Sequence, residues 1–291
     1  RGNINGQLLA SARLASQPQA DVSRKFATSQ LGGAALGGQL ALKWQTQRIS
    51  AVNADLSLGR NRLQAQGAYG VAGDTLKLQL AAPDLSPLGP AFSGELNARL
   101  ALAGTPARPD ISAQVQASRL ALPGGVQLAS LDADGRSGTA EDSPFRLMLQ
   151  GRGLQAGGQR LDDITLNSSG VRAAHQLSLA LRGQLQGKPQ TLSLALQGGL
   201  DSHTLRWRGT LASLQADGAV PPRLAAPAAL QLAQDSVTLA PSRWQALGSS
   251  WQLGDTSWQQ AAGWRSQGQV NALALSSLAP WWTPPLPQDL V

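Results

Sequence analysis

The 291-residue chain has no cysteine, two histidines, one methionine, one tyrosine and three phenylalanines. Without cysteine there is neither a disulfide scaffold nor a thiolate metal site, and the redox compartment stays open. His175 and His203 have no carboxylate at ligand spacing, and a metal site needs three or four ligands. Both therefore read as solvated residues in turns before strands, with no metal and no cofactor expected. The acidic pairs Asp162–Asp163 and Glu141–Asp142 are sequence neighbours, which on a strand face opposite ways. They read as turn residues, not as a catalytic pair. With no nucleophile motif of the Gly-x-Ser-x-Gly kind either, an enzyme is not expected. "GQLQGKP" at 183–189 falls one residue short of a phosphate-binding loop and has Pro189 where Ser or Thr is required; "GRGLQAG" at 151–157 lacks the spacing of a dinucleotide fingerprint. Charged residues make up only 14% of the chain, well under the usual quarter. No apolar run reaches the roughly 18–20 residues of a membrane-spanning helix, and no leader peptide is recognisable. The chain opens "RGNINGQLLA", inside an alternating stretch, and closes "PQDLV"; it reads as a piece of a longer protein.

What is present is Leu, Ala, Gln, Ser and 32 glycines, with a net charge of +7. The basic residues are scattered singly and aromatics are 4%, so the clustered cations and stacking platforms of a nucleic-acid surface are missing. The dominant signal is strict alternation, the period of a strand with one apolar and one polar face. Leu76, Leu78 and Leu80 alternate with Lys77 and Gln79; Leu96, Ala98, Leu100 and Leu102 with Asn97 and Arg99; Ile111, Ala113, Val115 and Ala117 with Gln114 and Gln116. The same holds for Leu120 and Leu122, Leu147 and Leu149, and Leu205 with Trp207. The pentapeptide Leu-Ser-Leu-Ala-Leu occurs twice, at 177–181 and 192–196, giving Leu177, Leu179, Leu181, Leu192, Leu194 and Leu196. Turn signals such as "LPGG", "QAGGQ" and "LQGKPQ" separate these runs at the short, regular intervals of an all-β fold. Helical periodicity is confined to short possibilities within Ala10–Lys25, near Leu85–Leu88 and near Ser276–Trp281.

A weak repeat, a polar turn leading into a Leu stripe, favours a chain of stacked strands over a globular sandwich. The Pro-rich "AVPPRLAAPAA" at 219–229 is the natural interruption. It divides the chain into a first stacked-strand segment, 1–218, and a Trp-rich continuation, 219–291, which holds six of the eight tryptophans. The Leu stripe admits two readings. It is either the core of a sandwich or an open groove whose apolar face stays available. Tight cores usually mix Val, Ile and aromatics, whereas this face is almost uniformly Leu and Ala. Periodicity leaves both readings open.

Several stretches in order, "NRLQAQG" at 61–67, "APDLSPLGP" at 82–90, "SGELNARLALAGT" at 93–105 and "ARPDISAQVQASRLAL" at 107–122, resemble the TamB family within the wider AsmA-like group of Gram-negative envelope proteins. "DDITLNSSGVRAAHQLSLALRG" and "RWRGTLASL" are similar to the family's later repeats. The resemblance implies a long β-sheet curled into a trough with an apolar inner face, in a parent anchored in the inner membrane by an N-terminal helix and crossing the periplasm. It also implies a barrel partner of TamA or BamA type in the outer membrane and a role in phospholipid transfer between the membranes. On that reading the groove is lined by Leu76, Leu78, Leu80, Leu96, Leu100, Leu102, Val115, Leu120, Leu122, Leu147, Leu149, Leu177, Leu179, Leu181, Leu192, Leu194, Leu196 and Leu205. Two rivals remain: a strand platform that helps outer-membrane proteins assemble by β-augmentation, and a passive stalk with a dry, filled interior.

Overall fold

The computed structural model describes residues 2–13, 18–46, 48–138, 142–185, 187–201, 204–218 and 221–273. These residues fall into two compact units, Arg1–Arg160 and Leu161–Val291, and contain 23 strands, one 3-10 turn and no α-helix. Among them no helix is long and apolar enough to cross a membrane. The fold class read from the sequence, all-β with strands stacked in a long open sheet, is the one observed, and the described pairings are antiparallel.

The first unit is a meander. Its strands are β1 (Gly6–Arg13), β2 (Gln19–Phe26), β3 (Ser29–Leu31), β4 (Ala34–Gln45), β5 (Arg48–Leu58), β6 (Asn61–Tyr69), β7 (Thr75–Ala82), β8 (Ser93–Thr105), β9 (Arg108–Leu122), β10 (Val126–Gly138) and β11 (Pro144–Ala156). Each pairs antiparallel with the next, except that β2 and β3 lie end to end along β4. Short turns suffice because antiparallel neighbours need no crossover. Among the described residues of Ala10–Lys25 no helical turn is formed. The described part of that stretch is β1 and β2, where Ala20 and Val22 pair with Trp44 and Leu42. A period of two that matches a waiting apolar neighbour overrides weak helix propensity. Near Leu85–Leu88 a single 3-10 turn does form, at Ser86–Leu88. Ser276–Trp281 lies outside the described residues.

The second unit holds β12 (Gln159–Val171), which begins just before it, then β13 (Ala174–Leu185), β14 (Lys188–Asp201) and β15 (Arg206–Gly218). Beyond β15 the strands become short: β16 (Arg223–Leu224), β17 (Ala228–Leu232), β18 (Ser236–Leu239), β19 (Ser242–Ala246), β20 (Ser249–Leu253), β21 (Thr256–Gln259), β22 (Gly263–Arg265) and β23 (Gly268–Asn271). They pair as two parallel columns. One runs from β15 through β16, β19 and β20 to β23, the other from β15 through β17, β18 and β21 to β22. Each row is thus one long strand broken in its middle, at 225–227, 240–241, 254–255 and 266–267. The breaks carry Pro227, Pro241 and Gly254, and proline can donate no ladder hydrogen bond. They are stitched across by Ala225 N–H to Arg243 O, Ala240 N–H to Ala229 O and Gly254 N–H to Gln267 O, at 2.7–2.9 Å. Stacked breaks form a crease across the strands, and the cluster Leu211, Leu224 and Ala228 packs there with Leu230, Leu239 and Trp244.

The polar face carries cross-strand ion pairs: Arg62 with Asp55, Arg119 with Glu95, Arg136 with Asp110 and Arg182 with Asp163. Asp163 and its neighbour Asp162 therefore sit within β12, not in a turn; a β-strand tolerates the pair because alternate faces separate the two carboxylates. Arg48 binds Asp74 through two hydrogen bonds, 2.9 and 2.7 Å. The Arg48 hydrogen bonds hold the Asp74 carboxyl below its usual value, against the cost of desolvation, with help from the Val71 N–H and the guanidinium charge. Asp55 is lowered likewise, first by its hydrogen bond from Arg62, and Asp84 by hydrogen bonds from Ser86.

These depressed carboxylates fix the sign of an acid dependence. Their stabilisation is fully present above the unfolded carboxylate value of about 4 and is lost as pH falls through the lower folded values. The urea midpoint of the chain should be flat from pH 7 to 5 and fall below pH 4. Asp74→Asn should start from a lower midpoint at pH 7 and show a shallower acid loss; an identical acid slope in wild type and variant would count against this assignment.

Candidate functional site

Direct partners in an antiparallel ladder project to the same side, so the register shows what each stripe becomes. In the first unit one row runs Leu40, Ala54, Ala65, Leu78, Leu100, Ala113, Gly135, Leu147. The next runs Leu63, Leu80, Ala98, Val115, Ala133, Leu149. On the other flank lie Leu42, Val52, Gly67, Leu76, Leu102 and Ile111, and Leu96 stands between Ala82 and Ala117. Large side chains are thus mixed with Ala or Gly along each row, and the sequence candidates of this unit up to Leu149 lie on one continuous face. In the second unit the twin pentapeptides are each other's partners: Leu177 faces Leu196, Leu179 faces Leu194 and Leu181 faces Leu192. Leu211, Leu214 and Ala216 extend the three rungs.

No second layer seals this face. Among the described residues no side chain falls below 2% exposed, and of the candidates only Leu76, at 8%, is buried; the others on strands are half-buried, with Leu122 open at 37%. Leu196 is the exception in surroundings, since it packs against the crease cluster with Leu214. Leu205 is not a rung. It sits in a turn with φ of 52° and is 64% exposed, and β15 starts one residue later. Concavity does not single out the apolar face: a recess of the first unit opens over polar rows, lined by Arg62, Gln64, Gln79, Arg99, Gln114 and Asp134 among others.

Leu120 and Leu122 lie past a phase change within β9. Ile111, Ala113, Val115 and Ala117 are covered at odd positions, then Arg119 adopts φ of 49°, and the register with β8 slips between Ser93 and Glu95. Leu120 and Leu122 then pair with Leu128 and Val126. A left-handed residue opposite Gly94 (φ 99°) makes a bulge, which kinks the strand and resets the alternation. The sequence shows this only as two Leu runs in different phase.

The quoted motifs also meet in space. The Asn61 side chain donates to Asp84 O and accepts from Asp84 N–H, copying a strand pairing, and Asn61 is buried. The Asp84 carboxylate accepts from Ser86 N–H at the start of the 3-10 turn, and Leu85, buried, bonds back to Gly94. The 83–92 loop is thereby folded over one end of the apolar face. Pro87 reaches Gly32, where a Cβ would stand 1.9 Å from the Pro87 carbonyl oxygen. Gly67, the motif's last residue, has φ of 124° and its absent Cβ would lie 1.9 Å from Thr75 O.

Sequence reasoning missed His175. It lies in β13, half-buried, and its Nε2 accepts from Trp207 Nε1–H at 2.8 Å, which leaves the proton on Nδ1 to donate toward Val171 O and Arg172 O. The indole crosses above Gly198 and Gly209, where any Cβ would meet it at 2.6 Å. His203 and Glu141 lie outside the described residues, and among the described residues no group of three potential metal ligands converges.

With this geometry in hand, comparison with known proteins is informative. The family described as TamB, N-terminal domain, matches residues 1–285. The "Translocation and assembly module subunit TamB" of Haemophilus influenzae is 27% identical over 172 residues, which is 59% of this chain and 13% of that protein. The chain thus covers a small part of the length of this relative. No solved structure matches.

Asn61→Ala should destabilise the chain by about 1–3 kcal/mol, because both Asp84 backbone groups lose their buried partner. Gly67→Ala should cost at least as much through backbone strain. Urea denaturation measures both; a neutral Asn61→Ala would show that the loop is held by other contacts.

Proposed function

Since this chain belongs to the TamB family, we propose that it is a non-catalytic segment of a periplasm-spanning envelope protein along whose apolar face phospholipid moves between the inner and outer membranes. The observation that supports this reading is the unsealed face itself: in-register rows of Leu, Ala and Val that no second layer covers. Each acyl methylene moved from water to such a face gains about 0.8 kcal/mol, so a two-chain lipid is held without any polar contact. Leu interspersed with Ala or Gly leaves hollows that flexible chains can fill, and the rows of the first unit named above carry no aromatic side chain, which keeps them deformable. The parent's inner-membrane anchor and its outer-membrane barrel partner of TamA or BamA type belong to the same proposal. No cofactor enters it.

A second reading has one observation in its favour. All eight residues of β1 are exposed, and among the described residues β1 pairs along one side, with β2, an edge of the kind that β-augmentation of a client strand uses. That reading is indifferent to the apolar face, and this separates the two.

Leu194→Arg and Ser193→Arg differ by one position and opposite faces. On an unsealed face the Arg head of Leu194→Arg reaches water, so the melting temperature should move by only a few degrees, as for ordinary surface changes in a chain of this size. In cells carrying the full-length protein, Leu194→Arg should raise outer-membrane permeability and Ser193→Arg should not. A stable, fully functional Leu194→Arg would sink the lipid reading. Gross unfolding would show that this face is a sealed core, where an unpaired charge is severely destabilising.

A further inference from the structure

A cation breaks the apolar face of the first unit. In β2, Ala20, Val22, Arg24 and Phe26 are the covered positions and their neighbours are exposed. Arg24 stands between Leu8 of β1 and Leu40 of β4, so it heads the row that continues through Ala54 and Ala65. Its guanidinium lies over the Phe26 ring at 4.8 Å. Its Nε is buried and has no hydrogen-bond partner, and no ion pair joins it to a described carboxylate. Outward-facing Arg62, Arg119, Arg136 and Arg182 are all paired. Arg24 is inward, partly desolvated and unpaired, a costly arrangement unless an anion completes it.

We propose that Arg24 binds the phosphate of a phospholipid whose acyl chain lies along the row Leu40, Ala54, Ala65. This rests on the apolar face being a lipid-binding face and adds to it the place and chemistry of the headgroup. A guanidinium is planar and forks toward two phosphate oxygens, with Nε as one tooth of the fork. From Arg24 to Ala65 is three strand steps of about 4.8 Å, about 14 Å in all, close to one leaflet of a hydrocarbon core about 30 Å thick. Ala54 and Ala65, buried between their neighbours, form a low floor, and taller side chains flank it: Leu42 and Val52 on one side, Leu56 and Leu63 on the other. A single acyl chain fits that profile, with the head fixed at one end. A free anion would gain nothing from the floor, and a neutral amphiphile nothing from Arg24.

The test uses the purified chain and two probes with the same short acyl chains, phosphatidylglycerol and diacylglycerol, titrated by native mass spectrometry. Wild type should bind the phospholipid at least about tenfold more tightly than the diacylglycerol, the scale of one charge-assisted bidentate contact. Arg24→Gln and Arg24→Met should erase that preference and leave diacylglycerol binding and the far-ultraviolet spectrum unchanged. Arg24→Met should melt no lower than wild type, since it removes a buried donor without a partner. Millimolar inorganic phosphate should not displace the phospholipid. The proposal is overturned if Arg24→Gln keeps the preference, if phosphate alone competes, or if an acidic peptide binds in place of lipid. Wild type binding both lipids equally would overturn the Arg24 assignment alone, whereas binding neither would remove the lipid-binding face as well.

Discussion

Cross-strand partnership on one side of a single sheet is the constraint on which this protein depends. Once the ladder fixes that Leu78 meets Leu100 in the first unit and Leu179 meets Leu194 in the second, the alternating stripes of each unit must merge into that unit's apolar face, and their polar counterparts into its other face. A sheet of one layer has nothing of its own to lay on that face. It stays half-exposed, which an ordinary globular protein avoids.

Stability must then come from sources other than a core. The ladder satisfies the backbone groups, and ion pairs cross between strands on the polar side. Small residues opposite large ones let rows pack within the face, as where Gly135 leaves room for Leu147, 3.5 Å from its missing Cβ. Glycine also tightens special places. The facing pair Gly198 and Gly209 admits the Trp207 indole on its way to His175, a tie that spans β14. Where the strands break in the second unit, the crease lets the apolar face meet itself and build the cluster around Leu211 and Leu224. The first unit closes one end differently, with the 83–92 loop pinned by Asn61.

These devices give the apolar face an internal geography. In the first unit one row is continuous from Leu40 to Leu147, and the face bends at Arg119 and Gly94, is capped near Asn61 and carries the cation Arg24; in the second unit the face is filled near Leu211.

Alternation is legible in sequence because it is local: a period of two needs only neighbouring residues, so the all-β class and most rungs of the face could be read from Leu and Gln positions. The motifs at 61–67 and 82–90 were legible as a family resemblance, yet nothing local says that Asn61 and Asp84 touch. The phase change at Arg119 was visible only as two runs in different phase, and Leu205 was misread as a rung, because a single left-handed residue leaves hydrophobicity untouched while redirecting every side chain after it. Asp162–Asp163 and His175 were misplaced into turns, since polar residues signal turns unless a partner such as Arg182 or Trp207 waits on another strand. The inward set of Arg24 follows from parity alone, but its unpaired state does not, because a missing partner is a statement about all the strands around it. Sequence determined which side chains share a face; the register between distant strands decided where that face bends, ends and carries charge, because those depend on contacts that no local pattern encodes.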